Sequence, residues 1–413
     1  MTTNRLEYIV LLAFLIDLLL PPLAHAQPPC RYTVTYWPNM DCGFGPDPGF
    51  PVAVNVHGHV AGKWVSCGEP VTHTFIWSGG PTTTILPIPP GYRSMDPADM
   101  NDLGEIVGTL ELPIGTGNPW RAFLRRANGQ VIDLGLPPGG TAVRATSINN
   151  ESEITGYYST PSGYKVYVWH NGTFTSIELP PGSEWVANDI DDQGRLAIWQ
   201  FGAQGFLWSD GRLTPLGFFP GGYSSLPRAI APNGDVAGFA TVPDPDAPWG
   251  YWARAFRFRS GHLFNLGVLP GFASSYGIAA NDSVTVGYCS DTDPPGGFNT
   301  AFWFGNGFMR PLQQMQPNAN LSLTSLSAIN SVGQIAITGR LGTARVGVLL
   351  SPIAAPASDL NCDCRIGVSD LLSIIDAWGP CNAGDWCAAD LNGDGRVNHL
   401  DLLLVIQHWG QQS

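Results

Sequence analysis

Short runs of aromatic and aliphatic residues, separated by Gly, Pro and Asn-Gly turns, recur from about residue 31 to residue 351. Each run predicts a short strand. The most regular runs are His73–Trp77, Arg121–Leu124, Lys165–Trp169, Gly205–Trp208, Arg254–Phe258 and Thr300–Trp303. A turn follows most of them, at Asn128-Gly129, Asn171-Gly172, Asp210-Gly211 and Asn306-Gly307. Asn-Gly and Asp-Gly supply the positive φ that a two-residue hairpin demands. The next strand ends at Leu134-Gly135, Leu216-Gly217 or Leu266-Gly267, and a Pro-Gly loop comes after it. From residue 359 the pattern changes: two runs rich in Leu and Ile, each ending in Trp-Gly, predict helices.

A second mark closes each unit and reads Ile-Asn-x-x-Gly-x-hydrophobic-x-Gly, with variations. Its copies run from Asn55 to Gly62, Asn101 to Gly108, Asn149 to Gly156, Asp191 to Ile198, Ala231 to Gly238, Ala280 to Gly287 and Asn330 to Ile337. Seven copies spaced by about 40–50 residues have the period of a four-stranded propeller blade. The ends complement each other. Tyr32–Trp37 fills the second-strand place of a unit that lacks its first strand, and Arg345–Leu350 is a first strand with nothing after it. Sharing one blade between these ends leaves no open sheet edge. The fold class expected is therefore mostly β: a seven-bladed β-propeller closed by a termini-shared blade, followed by a small α-helical domain. A parallel β-solenoid is the rival, but it needs no complementary ends.

The unit resembles the HAF family of extracellular repeats. The resemblance rests on the Ala-Phe core of the aromatic strand, the segment Leu266–Gly271 and the Ile-Asn-x-x-Gly motif. It implies a propeller-like, secreted protein and brings no settled activity.

The N-terminus reads as a signal peptide over residues 1–26. Arg5 precedes the apolar run Tyr8–Leu20, and Ala24-His25-Ala26 offers a small-x-small cleavage site. The run is short for a bilayer span; a retained anchor is the alternative. Eight cysteines agree with export to an oxidising place. Cys30, Cys42, Cys67 and Cys289 lie in the first part, and Cys362, Cys364, Cys381 and Cys387 in the tail. Zinc on the tail group is a rival to disulfides, though the CxxC spacing is missing. The chain carries 33 acidic against 20 basic residues, net −13, with no basic cluster. That argues against a nucleic-acid partner.

The ring offers little catalytic signal. His57 and His59 could share a metal, and Asp189, Asp191 and Asp192 could hold a cation, but Asp in a turn more often bonds its own backbone. Glu151, Glu153, Glu178 and Glu184 could serve a glycosidase, which needs two carboxylates about 5–10 Å apart, yet nothing in the sequence pairs them. Trp64, Trp120, Trp185, Trp199, Trp249 and Trp252 lie near loops or strand ends and could line a binding face; Trp77, Trp169, Trp208 and Trp303 hold one repeat position and read as core.

The tail, residues 359–413 after a linker at 352–358, is a duplicate at an offset of 31 residues. Asp390, Asn392 and Asp394 supply oxygens at positions 1, 3 and 5 of a 12-residue loop. Gly395 gives the turn at position 6, the Arg396 carbonyl serves position 7, and Asp401 closes the loop at 12. Calcium, a hard cation, takes such all-oxygen sets. Val397, at position 8, would pair one loop with the other. Leu402, Leu403, Val405, Ile406 and Trp409 form the expected apolar helix face. In the first copy Asp359, Asn361, Asp363, the Arg365 carbonyl and Asp370 match, but Cys364 stands where the turn favours Gly. The pattern resembles the type I dockerin, a duplicated loop-helix module. That resemblance implies calcium as cofactor and docking to a cohesin-like extracellular or cell-surface protein. Positions 10 and 11, often small hydroxyl residues in that family, are Val368-Ser369 and His399-Leu400 here.

These readings converge on a secreted, non-catalytic binding or scaffold protein, with polysaccharide or protein as the propeller's partner and no membrane contact after signal cleavage. The rivals are a polysaccharide-degrading enzyme, such as a glycoside hydrolase, or its accessory subunit, and a cell-surface structural protein with a sorting tail.

Overall fold

The computed structural model describes residues 31–41, 46–65, 71–115, 120–291, 299–353, 358–361, 365–381, 387 and 389–411. Residues 1–26, Cys30, Cys42, Cys67, Cys362, Asp363 and Cys364 lie outside them. Two compact units emerge, one spanning Arg31–Ile353 and one holding the described residues of the tail.

The larger unit is a seven-bladed β-propeller. Its seven sheets each have four antiparallel strands, which follow in sequential order in six of them. We number the blades along the chain. Blade 1 is Phe50–Val54, Val60–Val65, Thr72–Trp77 and Thr83–Ile85. Blades 2 to 6 follow at residues 94–133, 142–176, 185–215, 225–265 and 274–311. Blade 7 takes its three inner strands from Leu321–Ile329, Ile335–Leu341 and Ala344–Ile353, and its outer strand from Arg31–Trp37. The register runs from Arg31 opposite Ile353 to Trp37 opposite Gly347. The two incomplete ends of the repeat thus meet in one sheet. Trp37 is 2% exposed, donates its indole N–H to the Pro48 carbonyl at 2.9 Å, and packs against Trp77 and Phe75 of blade 1.

The two sequence marks have separate jobs. The aromatic of the Ala-Phe strand lies opposite the last Gly of the second mark, as in Phe123 with Gly108, Tyr167 with Gly156 and Phe302 with Gly287. A Cβ on Gly156 would stand 2.0 Å from the Arg144 carbonyl, and one on Gly287 1.9 Å from that of Tyr276. At these positions a Cβ would collide with the neighbouring strand, so glycine is required there.

The asparagine of the second mark stitches blade to blade. Its Oδ1 accepts N–H groups of its own turn, as Asn149 does from Glu151 and Glu153. Except at Asn55, whose buried amide nitrogen has no partner among the described residues, its amide donates to the equivalent carbonyl of the next blade: Asn101 to Asn149 at 3.0 Å, Asn149 to Asp191 at 2.9 Å, Asn281 to Asn330 at 3.2 Å. Asn330 donates to Asn55 at 2.7 Å, which carries the chain of bonds from blade 7 to blade 1. Where this asparagine is replaced, arginine takes over. Beside Asp191, Arg195 reaches Pro232; beyond Ala231, Arg257 reaches Asn281. In the sixth copy the structure moves the motif position from Ala280 to Asn281, because that turn is one residue shorter and closes from Asn281 to Val284.

Cores lie between adjacent blades. Ala53 and Ala61 of blade 1 pack with Met95, Met100, Ile106, Leu110 and Phe123 of blade 2. Trp77, Trp169 and Trp303 are buried as expected of a repeated core position, and Trp208 is half-buried. Every inner strand carries a bulge, and the seven inner strands surround a central channel with a cavity of about 660 Å³.

The smaller unit has helices α1 (Val368–Asp376) and α2 (His399–Gln407). Leu360, Ile366, Ile374, Val397 and Val405 form its core, with Leu371, Leu391 and Leu402 against it. These pair off at the 31-residue offset, so both repeats contribute alike.

Candidate metal centre

The second loop gathers its oxygens through its own backbone. Asp390 Oδ1 accepts the Asp394 N–H at 3.1 Å and Oδ2 the Gly395 N–H at 2.8 Å. Asn392 Oδ1 accepts the Asp394 N–H at 3.0 Å, and Asp394 Oδ1 accepts the Arg396 N–H at 2.9 Å. Gly395 sits at φ +81°, the left-handed region that the turn requires. These bonds bend three side chains into one concave loop and leave carboxylate lone pairs over, since each carboxylate has about four acceptor sites. Asp394 is fully exposed, and hydrogen bonds led by that from Asn392 hold its carboxyl below the usual range.

Asp401 closes the loop from below. Its Oδ1 accepts the N–H groups of Leu391 at 2.8 Å and Asn392 at 3.2 Å. Its Oδ2 accepts the Asn398 N–H at 2.8 Å, while the Asn398 side chain accepts that of Leu400. Asp401 is therefore both loop ligand position 12 and the third residue of α2, where it completes a capping box. That second duty explains aspartate in place of the longer glutamate of an EF-hand loop. The carboxylate is wholly buried, yet every bond it accepts comes from backbone.

The first loop repeats the closure. Asp370, also fully buried, accepts the Asn361 N–H at 3.1 Å and the Gly367 N–H at 2.8 Å. Asp359 is buried and Arg365 exposed. The position-5 and position-6 residues, Asp363 and Cys364, are outside the described residues. The donor chemistry of the second loop fits a calcium ion: carboxylate, amide and carbonyl oxygens from Asp390, Asn392, Asp394, Arg396 and Asp401, with no nitrogen or sulfur. Cys381 and Cys387 lie near Asp390, but they are joined as a disulfide and so supply no thiolate. This removes Cys381 from a zinc set.

Two expectations about the tail change. Val397 does not pair with its counterpart loop among the described residues. It faces Gly379, after α1, and Ile366 in turn bonds Gly410 and Gln411, after α2. Each loop is thus tied to the end of the other repeat's helix. The expected apolar face of α2 also divides. Val405 is buried and Leu402 half-buried, but Leu403, Ile406 and Trp409 are 54%, 48% and 48% exposed. Leu372, Ile375 and Trp378 repeat that exposure after the first loop. The helices are too short to bury so wide an apolar stripe against each other.

On the ring, Asp191 accepts the Gln193 and Arg195 N–H groups and Asp192 that of Asn150, which are turn and inter-blade bonds. Asp244 likewise accepts the Asp246 N–H. His57 and His59 lie 5.8 Å apart between ring centroids, and among the described residues no third metal-ligating side chain joins them. Burial, then His57, lowers the His59 pKa. Trp64 and Trp185 are buried, whereas Trp249 is 65% exposed. Cys289 is a free, buried thiol, which burial pushes up to about 11.

No curated protein matches the chain significantly in sequence. Among solved structures it is similar to a streptogramin B lyase, at 11% identity and TM-score 0.47 over 77% of this chain and 97% of that one. YCF48 from Cyanidioschyzon merolae gives 12%, 0.45, 77% and 99%, and TolB from Acinetobacter baumannii 11%, 0.38, 71% and 81%. Matches this distant bear on neither site nor activity. Residues 357–409 match the dockerin type I domain, which identifies the tail of this chain as a C-terminal dockerin module.

Proposed function

We propose that this is a secreted, non-catalytic scaffold whose tail docks it, in the presence of calcium, to a cohesin-like extracellular protein while the propeller presents a binding face. The dockerin module carries this reading, with its complete oxygen set in the second loop. When bound, calcium would neutralise the converging carboxylates and hold the loop closed. Asp390, Asn392, Asp394, Asp401 and the Arg396 carbonyl would hold it there, and Asp359, Asn361, Asp363, Asp370 and the Arg365 carbonyl in the first loop. The exposed side chains Leu372, Ile375 and Trp378, with Leu403, Ile406 and Trp409, supply apolar contact area of the kind a partner covers. The HAF-like repeats and the N-terminal signal pattern support export.

A band of aromatics across blades 4 and 5 supports the binding role of the propeller. Phe201 lies tilted against Trp199 at 4.9 Å, Tyr223 meets Tyr251 edge-on at 5.1 Å, and the Ser225 N–H bonds the Ala203 carbonyl. Phe201, Tyr223 and Trp249 are 59%, 53% and 65% exposed. Rings with one free face suit sugars as well as proteins. The test is capture of the full chain by immobilised type I cohesins with calcium and with chelator, alongside a polysaccharide binding and hydrolysis screen. Calcium-dependent capture without turnover is expected. Absence of capture removes the docking role, capture that ignores chelator removes its calcium dependence, and turnover of any glycan removes the non-catalytic reading.

A further inference from the structure

The central channel brings together two carboxylates that the sequence keeps 90 residues apart. Immediately after the bulge of each inner strand stands one channel residue per blade: Ala53, Asp99, Ser147, Asp189, Ala229, Ala279 and Ala328. Four of the seven are alanine. The other three are adjacent, on blades 2, 3 and 4, and all line the cavity.

Ser147 Oγ lies 2.7 Å from Asp99 Oδ2 and 2.6 Å from Asp189 Oδ1. A serine hydroxyl has one hydrogen and can donate to one of these oxygens only. The other short O···O contact needs a hydrogen of its own, and a carboxyl is the one group there able to carry it. The other hydrogen bonds to these carboxyls come from backbone. Asp99 accepts the Met100 N–H at 2.8 Å and the Ile148 N–H, across the blade boundary, at 3.0 Å. Asp189 accepts the Ile190 N–H at 2.9 Å and the Ile230 N–H of blade 5 at 2.7 Å. We propose that Asp99, Ser147 and Asp189 hold one shared proton, making the channel wall from blade 2 to blade 5 a seam that is closed in acid and weakened when the proton leaves.

The surroundings offer no substitute for that proton. Lys63 and Arg228 line the same cavity, but Lys63 pairs with Asp96 at 3.8 Å, and the charge interaction that acts on Arg228 is with Tyr288. Arg144, on the strand of Ser147, lies over the Trp120 ring at 3.8 Å. Asp102, in the turn after Asp99, takes the Val56 N–H and the Asn150 amide, and Asp191, after Asp189, pairs with Arg195. No cation bonds Asp99 or Asp189 among the described residues. Burial first, then the charge of Asp99, pushes the Asp189 carboxyl up to about 7, and burial raises Asp99 as well. Loss of the proton to water leaves two carboxylates and one hydroxyl donor, so one of the two short contacts becomes repulsive.

The sign follows from linkage. The folded pKa of Asp189 is raised, so the folded state binds the extra proton between the unfolded value, about 4, and about 7. Its stabilisation is complete below that window and is lost as pH rises through it. Infrared titration of the full chain tests this directly. A carboxylic C=O band should persist at pH 6, where exposed carboxylates are ionised, and fade near pH 7. It should vanish in Asp99→Asn and Asp189→Asn and remain in Asp96→Asn, whose carboxyl burial also raises. In denaturant, the unfolding constant of the wild type should rise about tenfold per pH unit through the window, relative to Asp189→Asn. Absence of the band in wild type, its survival in both variants, or parallel stability profiles would overturn the proposal. If the variants do not fold, the wild-type titration decides alone.

Discussion

At the scale of single residues, this chain repeatedly gives one side chain two duties. Asp401 closes the second oxygen loop and caps a helix, and its two oxygens accept three backbone N–H groups out of contact with water. Asp401→Ala should therefore destabilise the tail by about 2–4 kcal/mol even with calcium absent, because buried donors lose their acceptor. Asp394→Ala, at a fully exposed position, should leave apo stability nearly unchanged and weaken calcium binding. Urea unfolding followed by helical signal, with and without calcium, separates the two; equal apo stabilities would refute the double duty. The oxygen pattern of the loop was legible in sequence because a 12-residue loop is local. The exposure of Leu403, Ile406 and Trp409 was not, because hydrophobicity along a helix does not say how wide a partner that helix will find.

At the scale of elements, the outer strand of blade 7 carries the ring's closure. Its indole at Trp37 is buried against Gly347 and donates to the Pro48 carbonyl. Trp37→Ala should cost about 3–5 kcal/mol by loss of a large buried ring. Thermal unfolding of the variant measures it, and protease cleavage of residues 31–37 should precede cleavage elsewhere. Uniform cleavage along the chain would mean that this strand is not the clasp. The complementary strands were visible as incomplete ends of a repeat. The inter-blade asparagine bonds were not, since the motif alone does not show whether an asparagine amide turns inward to its own turn or outward to the next blade.

At the scale of the whole molecule, the function proposed above divides binding and docking between the two units. Calcium binds where the oxygens are, so chelator should lower the unfolding transition of the dockerin module and leave that of the propeller in place. Calcium at about a hundredfold over its dissociation constant adds about 2.7 kcal/mol to whatever unit holds it. Calorimetry with and without chelator checks this; a propeller transition that moves with calcium would place an ion on the ring.

The sequence by itself determined the repeat, the blade number, the shared closing blade and the duplicated oxygen loop. Each is periodic or local and follows from residue spacing. Only the tertiary structure decided which side chains meet across blades. Asp99, Ser147 and Asp189 converge because ring closure sets equivalent positions of successive inner strands around one channel, and no spacing along the chain encodes that convergence. The cross-pairing of each loop with the other repeat's helix end has the same origin: packing the duplicated units against each other buries the apolar residues of both in one core.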